Sequence, residues 1–350
     1  MDLVPGVDRD LWSDLALASQ NVFATPEWLE TWWRHYGSGE IVSVHDDRVV
    51  LPLHVTGGLV RQLRFIGSGQ SDQLGPVCAP EHLPHAIDML MDVAAREKVD
   101  VVLVQDVPVQ DECWDRLHGT RLRLTASPVT CFDERFNDPG EAEVKDGVEA
   151  WERFVASRSR NTRGQLRKKP DRLRSEFADV AYRLADVSTV HGDLDRLLEL
   201  HEDRWEGETP LASEQLQAFL HDFVDVARER GWLRLTSLEL DGTVRAAQLD
   251  FRYGDHESCY QVGRDPAYDE HSLGYVLMAH CMEAAVADGA REFRFLRGNE
   301  SYKYRFATHH GDVHGLAVAR TLRGKAAVKA ATLRDEPDES PVTELPARPR

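Results

Sequence analysis

The sequence predicts a mixed α/β protein that contains one unit twice, each a mostly antiparallel sheet flanked by helices. Segments with helical spacing and segments that alternate like strands follow the same order in both halves: helix, meander, helix, strand. Glycines and Asp-Gly pairs separate the predicted strands. Residues 49–67 and 244–263 both have the pattern of a hairpin that ends in glycine before a helix–strand unit. These observations predict a tandem repeat.

The first half is predicted to place a strand meander between two helices. Thr25 and Pro26 mark the start of a helix that continues to residue 36, because threonine caps helices and proline suits their first turn. The other predicted elements are strands at 41–45, 49–55, 60–66 and 100–106, a polar loop with glycines at 67–75, and a helix at 83–98.

The second half repeats this order. Asp241-Gly242 between two alternating segments is a strong hairpin signal. The predicted helices are 190–206, 213–230 and 272–287, and the predicted strands are 233–240, 243–252, 258–262 and 292–296. A length of 350 residues suits two domains, predicted at 1–125 and 126–322. A disordered tail is predicted for 323–350, which is rich in alanine and then in proline and acids.

Composition excludes several classes of function. The net charge of −18 argues against binding to DNA, which needs a positive surface. No segment approaches the roughly 20 apolar residues of a membrane helix, and the N-terminus has no pattern of a secretory signal. The five cysteines are scattered and lack CxxC spacing, so we expect reduced thiols, no metal site and a cytoplasmic protein.

The charged residues also suggest a halophilic origin. Only seven of the 42 cations are lysines, and acids are in large excess. Many carboxylates with few lysines suit a protein that must stay hydrated in concentrated salt. A high-GC genome alone would explain the preference for arginine over lysine, but it explains the excess of acids less easily. We therefore expect unfolding at low salt, measured by circular dichroism with and without molar KCl. Equal stability in both buffers would rule out salt adaptation.

The chemistry-bearing residues are densest in the turn after the last predicted strand. Residues 295–306 bring together acids, bases and phenols, a pattern that favours a binding or catalytic loop over packing alone. An ion-paired surface loop is the alternative. Lys303 and Arg305 are predicted to share one face of an extended segment and to bind a phosphate or carboxylate, with Arg297 nearby. Glu300 or Tyr302 could transfer the proton of a nucleophile or leaving thiol.

Other candidate residues lie on helices and one strand. His201 could act as a base, with Arg204 and Trp205 next to it, although a histidine on an apolar helix face can also be a packed core residue. Ser272 and Gly274 open a helix whose N-terminus suits a pyrophosphate, or they form an ordinary cap.

Two further groups have both a functional and a structural interpretation. Gln248 and Asp250 form the polar side of an alternating strand, where Asp250 could accept a proton, or this side could be a solvated or ion-paired strand face. Arg163 and Arg167 belong to a basic segment that could bind an anionic ligand or form a solvated helix.

Four segments carry a resemblance to a known family: 160–167, 200–205, 260–268 and 295–305. In order and spacing they resemble the cellulose-biosynthesis-type GNAT proteins, tandem-GNAT relatives of the Fem aminoacyl transferases. The resemblance covers about 150–310 and extends more loosely to 26–28 and 65–72. It implies two GNAT-like domains, of which the second holds the active site, and transfer of an acyl group from acetyl-CoA or another acyl-CoA.

The resemblance also implies where the substrates bind. The acceptor would be an amine or hydroxyl of a small molecule or of a polysaccharide or cell-envelope precursor. The helix of His201 would cover it, and the strand of Asp250 would border the acyl site. Ser272, Gly274 and Tyr275 would hold the donor, and N–H groups of a splayed strand would polarise its carbonyl.

The sequence departs from this family at the pyrophosphate loop. Of its usual Gln/Arg-x-x-Gly-x-Gly/Ala pattern, only Gly274 is found within 269–275. Two alternatives therefore stay open: a Fem-like transferase that uses aminoacyl-tRNA, and a catalytically silent GNAT-like module that binds an anionic sugar or nucleotide. The oligomeric state is not predicted.

Overall fold

The computed structural model describes residues 2–108, 112–132, 147–204, 210–309 and 311–332. Its helices are α1 Arg9–Ala18, α2 Pro26–Tyr36, α3 Leu83–Arg96, α4 Gly147–Ser157, α5 Arg160–Glu176, α6 Val190–Arg204, α7 Glu214–Glu229, α8 Leu273–Ala287, α9 Lys303–Phe306 and α10 Leu322–Thr332. Its strands are β1 Glu40–Ile41, β2 Val44–His45, β3 Val49–Leu51, β4 Leu53–Thr56, β5 Gln62–Phe65, β6 Val77–Cys78, β7 Val101–Pro108, β8 Thr120–Ala126, β9 Val129–Cys131, β10 Val180–Leu184, β11 Leu233–Leu240, β12 Thr243–Tyr253, β13 His256–Arg264, β14 Glu292–Arg294 and β15 Asp312–Ala319.

Two six-stranded sheets confirm the predicted mixed α/β class. Their strand orders are β1-β4-β5-β7-β15-β8 and β10-β11-β12-β13-β14-β9, and a small third sheet contains β2, β3 and β6. Each large sheet has one parallel pair, β5 with β7 and β13 with β14, and its other pairs are antiparallel. Both sheets are therefore mostly antiparallel, with the parallel pair third in the first order and fourth in the second.

The two sheets exchange strands. β9 follows β8 in the chain but pairs with β14 of the second sheet. β15 returns to the first sheet and lies between β7 and β8. The chain thus crosses to the second sheet near the predicted boundary at residue 126 and crosses back within the predicted second domain.

Several predicted elements are confirmed and others are wrong. Thr25 Oγ1 accepts a hydrogen bond from the Trp28 N–H at 3.2 Å, so α2 is capped as predicted. The predicted strand 49–55 is broken at Pro52, which has no N–H for a sheet hydrogen bond, and its two parts join different sheets. The predicted disorder of 323–332 is wrong, because these residues belong to α10 and its Val328 is buried. The rest of the predicted tail lies outside the described residues.

A shared core joins the two halves. The Trp28 ring of α2 meets Phe219 and Phe223 of α7 edge-on, at centroid distances of 4.9 and 4.6 Å. These rings belong to a buried cluster that contains residues from both halves. On the other face of the second sheet lies α8, which is buried over most of its length. No helix among the described residues is long and apolar enough to span a bilayer.

Gly263 sets the distance between α6 and the second sheet. A Cβ atom at this position would lie 2.5 Å from the carbonyl oxygen of Leu197 and 3.2 Å from the backbone nitrogen of His201. The absence of a side chain lets α6 pack directly on β13. This close packing brings His201 to the edge of a cavity.

Candidate active site

A cavity of about 290 Å³ opens where β13 and β14 diverge. The two strands pair only from His256–Ser258 to Glu292–Arg294, and β13 then continues without β14. The residues that line the cavity come from both strands, from α6 and from the first half: Gly69, Gln70, Asp72, His201, Leu216, Cys259, Tyr260, Gln261, Val262, Phe295, Leu296, Arg297, Glu300, Tyr302 and Lys303. The structure thus brings together five residues that the sequence analysis singles out: His201, Arg297, Glu300, Tyr302 and Lys303.

Arg297 connects the two halves at this cavity. Its Nε lies 2.6 Å from Asp72 Oδ1, its Nη1 lies 2.9 Å from Asp106 Oδ2, and its backbone N–H donates to Asp72 Oδ2 at 2.6 Å. Burial alone would lower the pKa of Arg297, but the two carboxylates raise it above its usual value. The guanidinium is therefore occupied by protein carboxylates, and its role in substrate binding stays a prediction.

Glu300 and Lys303 form an ion pair inside the cavity. Lys303 Nζ is 2.9 Å from Glu300 Oε2 and donates to the Arg297 carbonyl oxygen at 2.7 Å. The lysine side chain is 5% exposed and the glutamate 41%, so the carboxylate faces the open side. The structure thus presents a carboxylate oriented by a buried cation.

Backbone geometry at the end of β14 favours this arrangement. Leu296 has a φ of +57° and Gly298 a φ of +128°. A Cβ atom at Gly298 would lie 2.2 Å from Glu300 Oε2 and 2.7 Å from Lys303 Nζ. A left-handed kink and a glycine therefore make room for the ion pair.

The predicted extended segment around Lys303 is wrong. Lys303 and Arg305 lie on the short helix α9, where residues two apart point about 200° away from each other. Lys303 faces the cavity, whereas Arg305 is exposed and lies near Lys169 and Tyr275. Lys303 and Arg305 thus lie at two different places in the structure, although both belong to α9.

The second place is the N-terminus of α8. Lys169 Nζ donates to Ser272 Oγ at 2.6 Å and lies 5.3 Å from the centre of the Tyr275 ring. Burial, and then the charge of Arg305, lower the pKa of Lys169. At Gly274 in the first turn, a Cβ atom would meet Arg264 Cδ at an ordinary contact distance of 3.4 Å, so there is room beside the backbone. Two cations thus lie near a helix N-terminus, an arrangement that favours an anion. We refer to this place as the candidate anion site.

The acids of the unusual 269–275 loop are paired there. Asp269 forms an ion pair with Arg264, and Glu270 lies 3.6 Å from Arg172. Their charge is therefore partly compensated at the candidate anion site. Burial raises the pKa of Tyr275 to about 12, so its phenol stays protonated at neutral pH.

Asp250 and Gln248 are not among the residues that line the cavity. Both are buried, and Gln248 Nε2 donates to both Asp250 oxygens, at 2.7 and 3.0 Å. Burial and the charge of Glu257 raise the pKa of Asp250 well above its usual value. Asp250 is buried, is held by Gln248 and does not line the cavity, so it is poorly placed to act as a general base there. The alternative of a solvated strand face is wrong for the same reason.

Four other predicted residues lie away from the cavity or cannot be placed. Arg163 and Arg167 of α5 line a separate cavity of about 790 Å³ between α4, α5 and α8. Arg163 Nη1 donates to the Ala156 and Arg158 carbonyl oxygens, at 3.1 and 2.7 Å, so it caps α4. Arg204 ends α6, and Trp205 lies outside the described residues.

The sequence interpretation missed two groups. Lys169 was not singled out within the basic segment, and its approach to Ser272 spans 103 residues of sequence. The loop Gly69–Asp72 was assigned to a half without a site, although its glycines and polar residues are typical of a binding loop.

Comparisons with known proteins bear on the fold of the chain. Residues 160–304 match the family described as acetyltransferase (GNAT) domain. No curated protein matches the chain. Among solved structures, FemX is similar with a TM-score of 0.62 at 11% identity, over 93% of this chain and 98% of that one.

Two further structures are similar over both halves. The C-terminal domain of a putative lysylphosphatidylglycerol synthetase from Agrobacterium fabrum has a TM-score of 0.58 at 12% identity, over 97% of this chain and 98% of that one. L-PGS from Bacillus licheniformis has a TM-score of 0.52 at 12% identity, over 88% of this chain and 95% of that one. The chain therefore has a GNAT-type acyltransferase fold in a Fem-like tandem arrangement.

Proposed function

We propose that the protein is an acyltransferase that binds the phosphates of an acyl-CoA donor at the N-terminus of α8 and its acceptor in the cavity beside Glu300. The observation that carries this proposal is the position of α9. One helical turn presents Lys303 to the cavity and Arg305 to the candidate anion site. A donor bound at α8 would thus extend towards the place where β13 and β14 diverge.

The reaction would be a direct acyl transfer. The acceptor amine or hydroxyl attacks the thioester carbonyl, and Glu300 takes the proton that the nucleophile loses. N–H groups of β13, past its last pair with β14, stabilise the negative charge on the carbonyl oxygen. The C–S bond then breaks, and Tyr302 can donate a proton to the leaving thiolate.

The proposal also names a class of acceptor. A cavity of about 290 Å³ suits a small molecule or the end of a larger precursor. The resemblance to cellulose-biosynthesis-type proteins supports an acceptor from polysaccharide or cell-envelope synthesis, and the acidic composition supports a salt-rich cytoplasm.

Lys169→Ala is expected to weaken the binding of acetyl-CoA roughly 10-fold, because a charge-assisted contact with a phosphate is lost. Calorimetric titration in high-KCl buffer measures the affinity. Lys168→Ala is the matched control, since Lys168 directly precedes Lys169 but is exposed and has no contact with Ser272. Equal losses of affinity in both variants would show that the donor phosphates do not bind at α8.

Aminoacyl transfer is the second candidate. It is supported by the similarity to FemX and to lysylphosphatidylglycerol synthetases, which covers both halves of this chain. The same titration separates the candidates. Micromolar binding of acetyl-CoA would favour an acyl-CoA donor, whereas its absence together with transfer from aminoacyl-tRNA would favour the Fem-like reaction.

A further inference from the structure

The first half contributes a fixed hydrogen-bond donor to the cavity. Gln70 lies in the loop between β5 and β6 and lines the cavity opposite β13. Its side-chain Oε1 accepts from Trp32 Nε1 at 2.9 Å, and its backbone carbonyl accepts from the Tyr260 hydroxyl at 3.1 Å. Two aromatic residues, one from each half, thus hold Gln70 in place.

The chemistry of tryptophan fixes the direction of this amide. An indole N–H can only donate, so the Gln70 atom that it contacts must be the oxygen. The amide nitrogen is then the other atom, and no described residue accepts a hydrogen bond from it. Gln70 therefore keeps two N–H donors for a ligand.

The formal charges in the cavity are already paired. Arg297 is held by Asp72 and Asp106, and Lys303 is held by Glu300. A ligand that relied on an anionic group would have to displace one of these carboxylates. Recognition by neutral hydrogen bonds, with the amine beside Glu300, requires no such exchange.

We propose that Gln70 of the first half is an acceptor-binding residue and that it selects an amine that also carries hydroxyl or carbonyl oxygens. This inference rests on the proposed function, because it names the acceptor of that reaction. Glu300 would meet the amine, and the Gln70 amide would donate to an oxygen elsewhere on the acceptor. The first half would thus set the acceptor specificity of a site whose acid and cation come from the second half.

Two amines of similar ring size test this selection. Glucosamine carries hydroxyls around its six-membered ring, and cyclohexylamine carries none. Their binding can be followed by the indole NMR signal of Trp32, because its N–H donates to Gln70. Trp32→Phe assigns that signal, and the Trp12 indole, which donates to the Ala24 carbonyl away from the cavity, is an internal control.

We expect glucosamine to shift the Trp32 signal and to bind about five- to tenfold more tightly than cyclohexylamine. Gln70→Glu keeps an oxygen for Trp32 but removes the two donors, so it should abolish this preference. Gln70→Met, which adds no charge, should do the same. Equal affinities in the wild type, no shift with glucosamine, or an unchanged preference in both variants would overturn the proposal.

The readout is independent of acyl transfer. These titrations need no donor, so a failure of Gln70 to select the amine can occur while acetyl-CoA still binds at Lys169. Conversely, a missing donor site would leave the preference for glucosamine intact. The two failures are therefore distinguishable.

Discussion

Glu300→Gln is expected to lower kcat for acyl transfer by about 100- to 10,000-fold, the usual contribution of a general base. Glutamine keeps the size of the side chain but cannot accept the proton of the attacking acceptor. Steady-state release of free CoA thiol, measured with a chromogenic disulfide, gives kcat for wild type and variant. Calorimetry should show an unchanged affinity for acetyl-CoA, because Glu300 lies in the acceptor cavity and the donor phosphates would bind at α8.

The control for this experiment is Glu270→Gln. Glu270 is 72% exposed and belongs to the loop before α8. It should change kcat little, so a loss confined to Glu300 would identify the base. Full activity of Glu300→Gln would contradict the proposed role. Donor binding without turnover in the wild type, across a set of amines that includes glucosamine, would instead favour the silent module.

Arg297→Leu is expected to lower the free energy of unfolding by about 3–5 kcal/mol, as is usual when one partner of a buried ion pair is removed. The substitution would leave Asp72 and Asp106 without their cation, and their side chains are only 11% and 14% exposed. Urea unfolding followed by circular dichroism measures the change. Activity should also fall, because the backbone of Arg297 connects Asp72 to Lys303. The Arg297 N–H donates to Asp72, and its carbonyl oxygen accepts from Lys303 Nζ.

Arg291→Leu provides a matched comparison. Arg291 is 49% exposed and lies 3.4 Å from Asp255, so its loss should cost less than about 1 kcal/mol. If the two variants were equally stable, Arg297 would not link the halves energetically. Adding Asp72→Asn to Arg297→Leu should restore part of the lost stability, because it removes one unpaired charge.

The sequence predicts local structure well where periodicity or turn chemistry is strong. The cap of α2 at Thr25 and the hairpin at Asp241-Gly242 both follow from single-residue preferences. The helical turn at Lys303 does not, because four residues are too few to show a period. The sequence singles out the same segment because its charges are costly to place for packing alone, and the structure places part of it at the edge of a cavity.

What could not be predicted depends on contacts between distant parts of the chain. Lys169 approaches Ser272 only because α5 packs near the start of α8. Gln70 and Asp72 meet β13 and Arg297 only because the two halves share a core. Asp250 was misplaced for the opposite reason, since a strand that alternates in polarity can be buried on both faces when helices cover both.

The exchange of β15 has a consequence for how the chain folds as it is made. Synthesis proceeds from the N-terminus, yet the first sheet lacks a strand between β7 and β8 until residues 312–319 have left the ribosome. Until then, both strands expose unpaired backbone groups at a sheet edge, which is a template for aggregation. A nascent chain that stops after residue 126 would therefore be an incomplete domain. The first half can finish folding only after nearly the whole of the second has been synthesised.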